Sequence, residues 1–160
     1  MKFLPVVALL LAAAVSLSHA GQGKDLPNNL AVTTIDGATV DAAALKSTPL
    51  VLMLGAAWCP ECRQEAPEFQ KAYLAYKDKG VQFLCVLGKS SEEDLVEFRE
   101  TYKITYPIAK DNGLADALDV RVIPQTFFFA KGGVFSKRIM GAVTYKEFTT
   151  NIETILRLSK

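Results

Sequence analysis

The chain has 160 residues, of which 50% are hydrophobic and 22% charged, a balance that supplies a packed core and excludes disorder and collagen-like repetition. Eighteen basic and 17 acidic residues give a net charge of +1 with no basic block to line a row of phosphates, which argues against a nucleic-acid partner. Three cysteines are too few for a disulfide scaffold or a four-cysteine zinc site, and two of them sit three positions apart.

Lys2, an apolar run from Phe3 to Leu17, and Ser18-His19-Ala20 have the three-part layout of an export signal, with cleavage expected after Ala20. The apolar run, interrupted by Pro5, falls short of the ~20 residues that span a bilayer. The expected location is therefore exported and periplasmic, or extracytoplasmic and membrane-associated if the segment is retained. Residues 21–29 read as a flexible start and residues 30–160 as one domain. Removing residues 1–20 leaves 17 basic against 17 acidic side chains and takes away His19, the only histidine. Imidazole is then unavailable as general base, metal ligand or haem ligand, and no metal or cofactor is expected. The expected compartment allows disulfides to form.

In chain order, Leu30–Ile35 and Ala38–Val40 flank Asp36-Gly37 as a hairpin, and a short helix is expected over Asp41–Lys46. Leu50–Leu54 is a continuous apolar run of strand length, the signature of a strand covered on both faces. From Cys62, the residues Ala66, Phe69, Tyr73 and Tyr76 mark one helical stripe that stops near Gly80, with Pro67 expected to bend it. Val81–Leu87 reads as a second buried strand, and Ser91 with Asp94 as a capping-box start to a helix reaching Tyr102. Ile104–Ala109, broken by Pro107, is left unassigned, and Asn112–Leu118 suits a brief helix. Thr126–Ala130 and Val134–Met140 around Lys131-Gly132-Gly133 form a second hairpin, and Phe148, Ile152, Ile155 and Leu156 mark a terminal helix. Parallel crossovers followed by a hairpin predict an α/β fold with a mixed sheet.

The chemistry concentrates in Trp58-Cys59-Pro60-Glu61-Cys62, between a buried strand and a helix. A cysteine at a helix start faces unpaired backbone donors and the positive end of the helix dipole, which favour thiolate. Cys59 is thus the expected exposed nucleophile, and Cys62, one turn further in, can displace a partner from a mixed disulfide. A purely structural disulfide would close a ring too small to constrain much unfolded chain, and no second pair of zinc ligands exists. Cys85, inside an apolar run, reads as a small hydrophobe.

These residues resemble the thioredoxin superfamily, and more closely its exported branch of ResA-, TlpA- and CcmG-like thiol-disulfide oxidoreductases. The resemblance spans the chain after residue 20: the leading hairpin, Trp58-Cys59-Pro60-Glu61-Cys62 continuing to Glu65 and Pro67, and Val122-Ile123-Pro124-Gln125-Thr126-Phe127. It implies a thioredoxin-like fold, a mixed central sheet flanked by helices with an N-terminal β-hairpin extension. It implies that Pro124 is a cis proline beside the cysteines and that the backbone of Ile123 offers an edge to an extended substrate. Trp58, Pro60, Glu61, Ile123 and Pro124 are the expected substrate-binding set, with Trp58 packed over the cysteine pair. Glu65, ~4.5 Å further along the helix axis than Cys62, matches a glutamate associated with proton handling in the ResA-like group. Met53 occupies the strand position where cytosolic thioredoxins carry a buried aspartate, so that acceptor is absent.

The resemblance further implies reduction of protein thiol clients, commonly apocytochrome c during cytochrome c maturation, by a monomer recharged from a membrane thiol carrier of the DsbD or CcdA type. A general exported reductase, a disulfide-forming oxidant and a redox-inactive binding module are the alternatives. Peroxide reduction is disfavoured because Leu52 and Ala56 stand where a peroxiredoxin needs Pro and Thr or Ser, and copper delivery because no histidine remains.

Overall fold

The computed structural model describes residues 23–160; the expected export signal lies outside the described residues. A leading hairpin, β1 (Ala31–Thr33) and β2 (Thr39–Asp41), runs into a short helix α1 (Ala42–Lys46) capped by the Asp41 carboxylate on the Ala44 amide. The remainder is β3 (Leu50–Gly55), α2 (Pro60–Tyr76), β4 (Gln82–Leu87), α3 (Glu92–Thr101), β5 (Ile108–Lys110), α4 (Leu114–Ala117), β6 (Gln125–Ala130), β7 (Val134–Met140) and α5 (Tyr145–Leu158). The five-stranded sheet has the order β5-β4-β3-β6-β7, with β3, β4 and β5 parallel and β6 and β7 antiparallel to their neighbours.

The continuous apolar runs follow from a sheet buried on both faces. Along β3, Val51 and Met53 enter the core beneath α2, α3 and α5, while Leu50, Leu52 and Leu54 enter a second core beneath α1, α4 and the leading hairpin. Phe83, Cys85 and Leu87 alternate in the same way with Leu84 and Val86, as the two-residue strand period requires. The capping box at Ser91 and Asp94 forms as expected, and α2 runs unbroken through Pro67. A 3-10 turn over Lys77–Lys79 ends at Gly80 with φ +78°, a conformation that glycine adopts without steric cost.

Two elements differ from the sequence reading. The unassigned stretch contains β5, three residues that pair with β4 and meet Thr34 through a single bridge; a run this short after Pro107 carries no readable period. Residues 24–29, expected as a flexible start, lie against the domain. Leu26 is 2% exposed and donates its amide to the Gly133 carbonyl, Asp25 accepts from the Phe135 amide, and Lys24 pairs with Asp119. One leucine among polar residues leaves no pattern, yet it fills the second core. Leu26→Ala should therefore lower the unfolding free energy by about 2–3 kcal/mol, as a core truncation does; a denaturant titration checks this, and a detached segment would give no change.

Candidate active site

β3 ends at Gly55, where its neighbours β4 and β6 lead away to different parts of the fold, and the chain turns over Ala56–Trp58 into α2. Crevices at such strand ends are where open α/β sheets place their chemistry. Cys59 is the N-cap of α2, in extended conformation, with Pro60 at the first helical position, where a missing amide costs nothing. The Cys59 sulfur accepts the Cys62 amide at 3.3 Å, and the Cys59 amide is tied to the Ala56 carbonyl. That inward turn makes Cys59 only 5% exposed, less than the exposed sulfur expected, while Cys62 is completely buried. All three cysteines are free thiols. Gly55 is required here, since a β-carbon at that position would stand 2.8 Å from the Cys62 sulfur.

Burial is the main reason the Cys62 thiol is pushed far above the usual range, reinforced by the Cys59 side chain and by the Glu65 charge and opposed by the Ala56 backbone. Glu65, one turn beyond Cys62, is fully buried, which a glutamate rarely is without a partner. Its Oε1 accepts a hydrogen bond from the Thr126 hydroxyl on β6, and its Oε2 has no partner. Burial raises the carboxyl to about 7, with the Thr126 hydroxyl and the Val143 backbone opposing the rise and the Glu147 charge adding to it. Met53, in place of an acid, lies in register with Thr126 on one side and Cys85 on the other, so the carboxylate arrives from the helix rather than from the strand.

The Ile123-Pro124 peptide is cis. Leu54 pairs with Gln125, which sets Pro124 beside the Gly55 end of β3. Gly141 donates its amide to the Pro124 carbonyl, and the Gln125 side-chain amide holds the Val122 carbonyl at 2.9 Å. The Trp58 indole donates to the Lys89 carbonyl at 2.9 Å and remains 53% exposed. Trp58 and Ile123 both line an open cleft of about 480 Å³ with Leu54, Val86 and Val120 in its apolar lining. Glu61 lies outward beside Gly141, and Arg63 is bound to the Ala57 carbonyl. Cys85 is buried with its thiol 3.8 Å from the Met53 sulfur.

The sequence reading missed Gly55 and Thr126. The first had a signal, a glycine closing the strand before the cysteine motif; the second becomes visible only through the pairing of β3 with β6.

Residues 23–137 match the AhpC/TSA family. The chain is 27% identical over 135 residues to the thiol-disulfide oxidoreductase ResA of Bacillus cereus, covering 83% of this chain and 78% of that protein. It is 31% identical over 112 residues to ResA of Oceanobacillus iheyensis, covering 69% and 58%. The crystal structure of StoA from Bacillus subtilis superimposes with a TM-score of 0.68 at 26% identity, covering 79% of this chain and 99% of that one.

The raised Glu65 carboxyl makes a thermodynamic prediction. Its folded value of about 7 exceeds the ordinary 4.5, so the folded state binds more protons than the unfolded state between those values. The stability linked to this proton is complete below pH 4.5 and is lost as pH rises through 7, a loss of about 3 kcal/mol. Glu65→Gln keeps the acceptor for Thr126 and removes the charge. Its unfolding free energy, measured on reduced protein from pH 4 to 8, should lack this decline and exceed that of the wild type at pH 8.

Proposed function

The chain belongs to the AhpC/TSA family and is a ResA-like thiol-disulfide oxidoreductase of the thioredoxin superfamily, and from that premise we propose that it works as a reductant of protein disulfides outside the cytoplasm. The observation that carries the direction is the burial of Cys62 together with Glu65. Groups that hold thiols protonated favour the disulfide over the dithiolate, and a pair that prefers to be oxidised gives its electrons away.

In the proposed reaction the Cys59 thiolate, at the N-terminus of α2, attacks one sulfur of a client disulfide. The client S–S bond breaks, a Cys59–client mixed disulfide forms, and the departing client thiolate takes up a proton. Cys62 gives its proton to the Glu65 carboxylate, and its thiolate attacks Cys59. The second client thiol leaves, and Cys59–Cys62 ends as the disulfide, two electrons poorer. A carboxyl that titrates near 7 suits the transfer, since it is available in both protonation states at neutral pH. Ile123 and Pro124 form the edge on which an extended client lies, with Trp58 lining the same cleft as Ile123, Pro60 next to Cys59, and Glu61 beside Gly141, which binds the Pro124 carbonyl.

Within that reading, apocytochrome c thiols before haem attachment are the client class, a membrane thiol carrier of the DsbD or CcdA type restores the dithiol, and the protein acts as a monomer exported by residues 1–20. The supporting observations are the match to ResA proteins and the composition of the N-terminal segment. No helix among the described residues is long and apolar enough to cross a membrane.

The two thiols have unequal roles that mutation separates. Cys59→Ser should abolish reduction of insulin in the presence of dithiothreitol, whereas Cys62→Ser should still attack and then accumulate mixed disulfides, visible as higher-mass species on non-reducing gels. Equal loss in both variants without trapped complexes would contradict the assignment, and the species trapped on Cys62→Ala identify the clients.

A further inference from the structure

The core beneath α2 holds two buried oxygens that make no hydrogen bond, Glu65 Oε2 and the Tyr106 hydroxyl. Both border one strip of side chains. Thr126 on β6, Met53 on β3 and Cys85 on β4 are in register across the sheet, all in the core that α2 covers. Glu65 reaches down to the Thr126 end. Tyr106 stands at the Cys85 end, because the Cys85 amide binds the carbonyl of the next residue, Pro107, at 2.9 Å. The Tyr106 ring packs edge-on against Phe69 at 4.6 Å, one turn along α2 from Glu65. Each orphan has what the other lacks, since a phenol donates and a carboxylate oxygen accepts.

We propose that Tyr106 is a positioning residue for Glu65, its hydroxyl donating through enclosed water to Glu65 Oε2 and stabilising the carboxylate against the acid. A buried unmet donor and a buried unmet acceptor in one core are each costly, and enclosed water linking the two satisfies both. Burial, with the Cys85, Glu65 and Cys62 charges adding to it, holds the tyrosine well above its usual range, so it remains a donor wherever the thiols exchange. The groups that face Glu65 are Cys62 on its own helix, Cys85 on β4, Tyr106 before β5, Glu147 at the start of α5 and the Val143 backbone amide, which makes no hydrogen bond to Oε2; β3 and β6 contribute the uncharged Met53 and Thr126. Tyr106 is the one hydroxyl donor in this set not already committed elsewhere. The proposal rests on the reading of Glu65 as the proton acceptor of Cys62.

The test is the pH dependence of mixed-disulfide resolution, with a fluorescent peptide disulfide as the client, in wild type, Tyr106→Phe, Glu65→Gln and the double variant. Wild type should lose rate on the acidic side with a midpoint near 7. Tyr106→Phe should move that midpoint upward by about one pH unit, the effect of one hydrogen bond to a charged oxygen. In the Glu65→Gln background the acidic limb should be absent and Tyr106→Phe should change nothing. A Tyr106→Phe midpoint equal to that of wild type overturns the proposal while leaving Glu65 in its role. A Glu65→Gln variant that keeps the wild-type limb overturns the role of Glu65 and the proposal with it. Thermal melting at pH 8 is a second readout. A linked hydroxyl makes Tyr106→Phe melt lower than wild type, whereas an unmet hydroxyl is relieved by phenylalanine, and an equal or higher melting temperature contradicts the proposal.

Discussion

Sealing Glu65 in the core with the Thr126 hydroxyl as its side-chain partner sets the terms for everything around it. A charge that cannot be solvated and is only half hydrogen-bonded resists ionisation, so the carboxyl titrates near neutral pH rather than near 4.5. The same burial opposes a thiolate at Cys62, and each negative charge opposes the other. Thiol and carboxyl therefore share a proton economy in which moving one proton between them is easier than ionising both. The chain accepts lower stability above neutral pH to keep that acid where it is.

The fold delivers the arrangement through three constraints. Parallel pairing of β3 with β4 and antiparallel pairing with β6 puts Cys85, Met53 and Thr126 at one level across the sheet. The end of β3 at Gly55 lets the first turn of α2 descend until Cys62 touches the strand, an approach that any larger residue would block. Pro124, after a cis peptide, precedes β6 beside that same strand end, so Pro124 and Cys59 belong to neighbouring parts of one sheet. Phe69, packed edge-on to Phe83, Tyr106 and Phe148, fixes the helix over this layer.

Much of this was legible in the amino-acid sequence because it is local. The apolar runs of β3 and β4, the cysteines between strand and helix, the Ser91 capping box and the Lys131-Gly132-Gly133 turn each carry their signal within a few residues. What was not legible depends on contacts between distant segments. β5 exists through its pairing with β4 and the Thr34 bridge, Leu26 is ordered by a carbonyl more than a hundred residues away, and the Trp58 indole is held by the Lys89 carbonyl. The Glu65 position was readable from helical spacing, but its partner Thr126 required the register of β3 on β6.

The central claim is that a buried carboxyl exchanges its proton near neutrality beneath the thiols. The most direct measurement is the side-chain carboxyl carbon-13 resonance of Glu65 followed against pH in the reduced protein, with the signal assigned by its absence in Glu65→Gln. The account predicts an inflection near pH 7, far above the ordinary value of 4.5, and a second, smaller displacement at higher pH as the Cys62 thiol ionises. An inflection at the ordinary value of 4.5, with no response to the thiols, would contradict it.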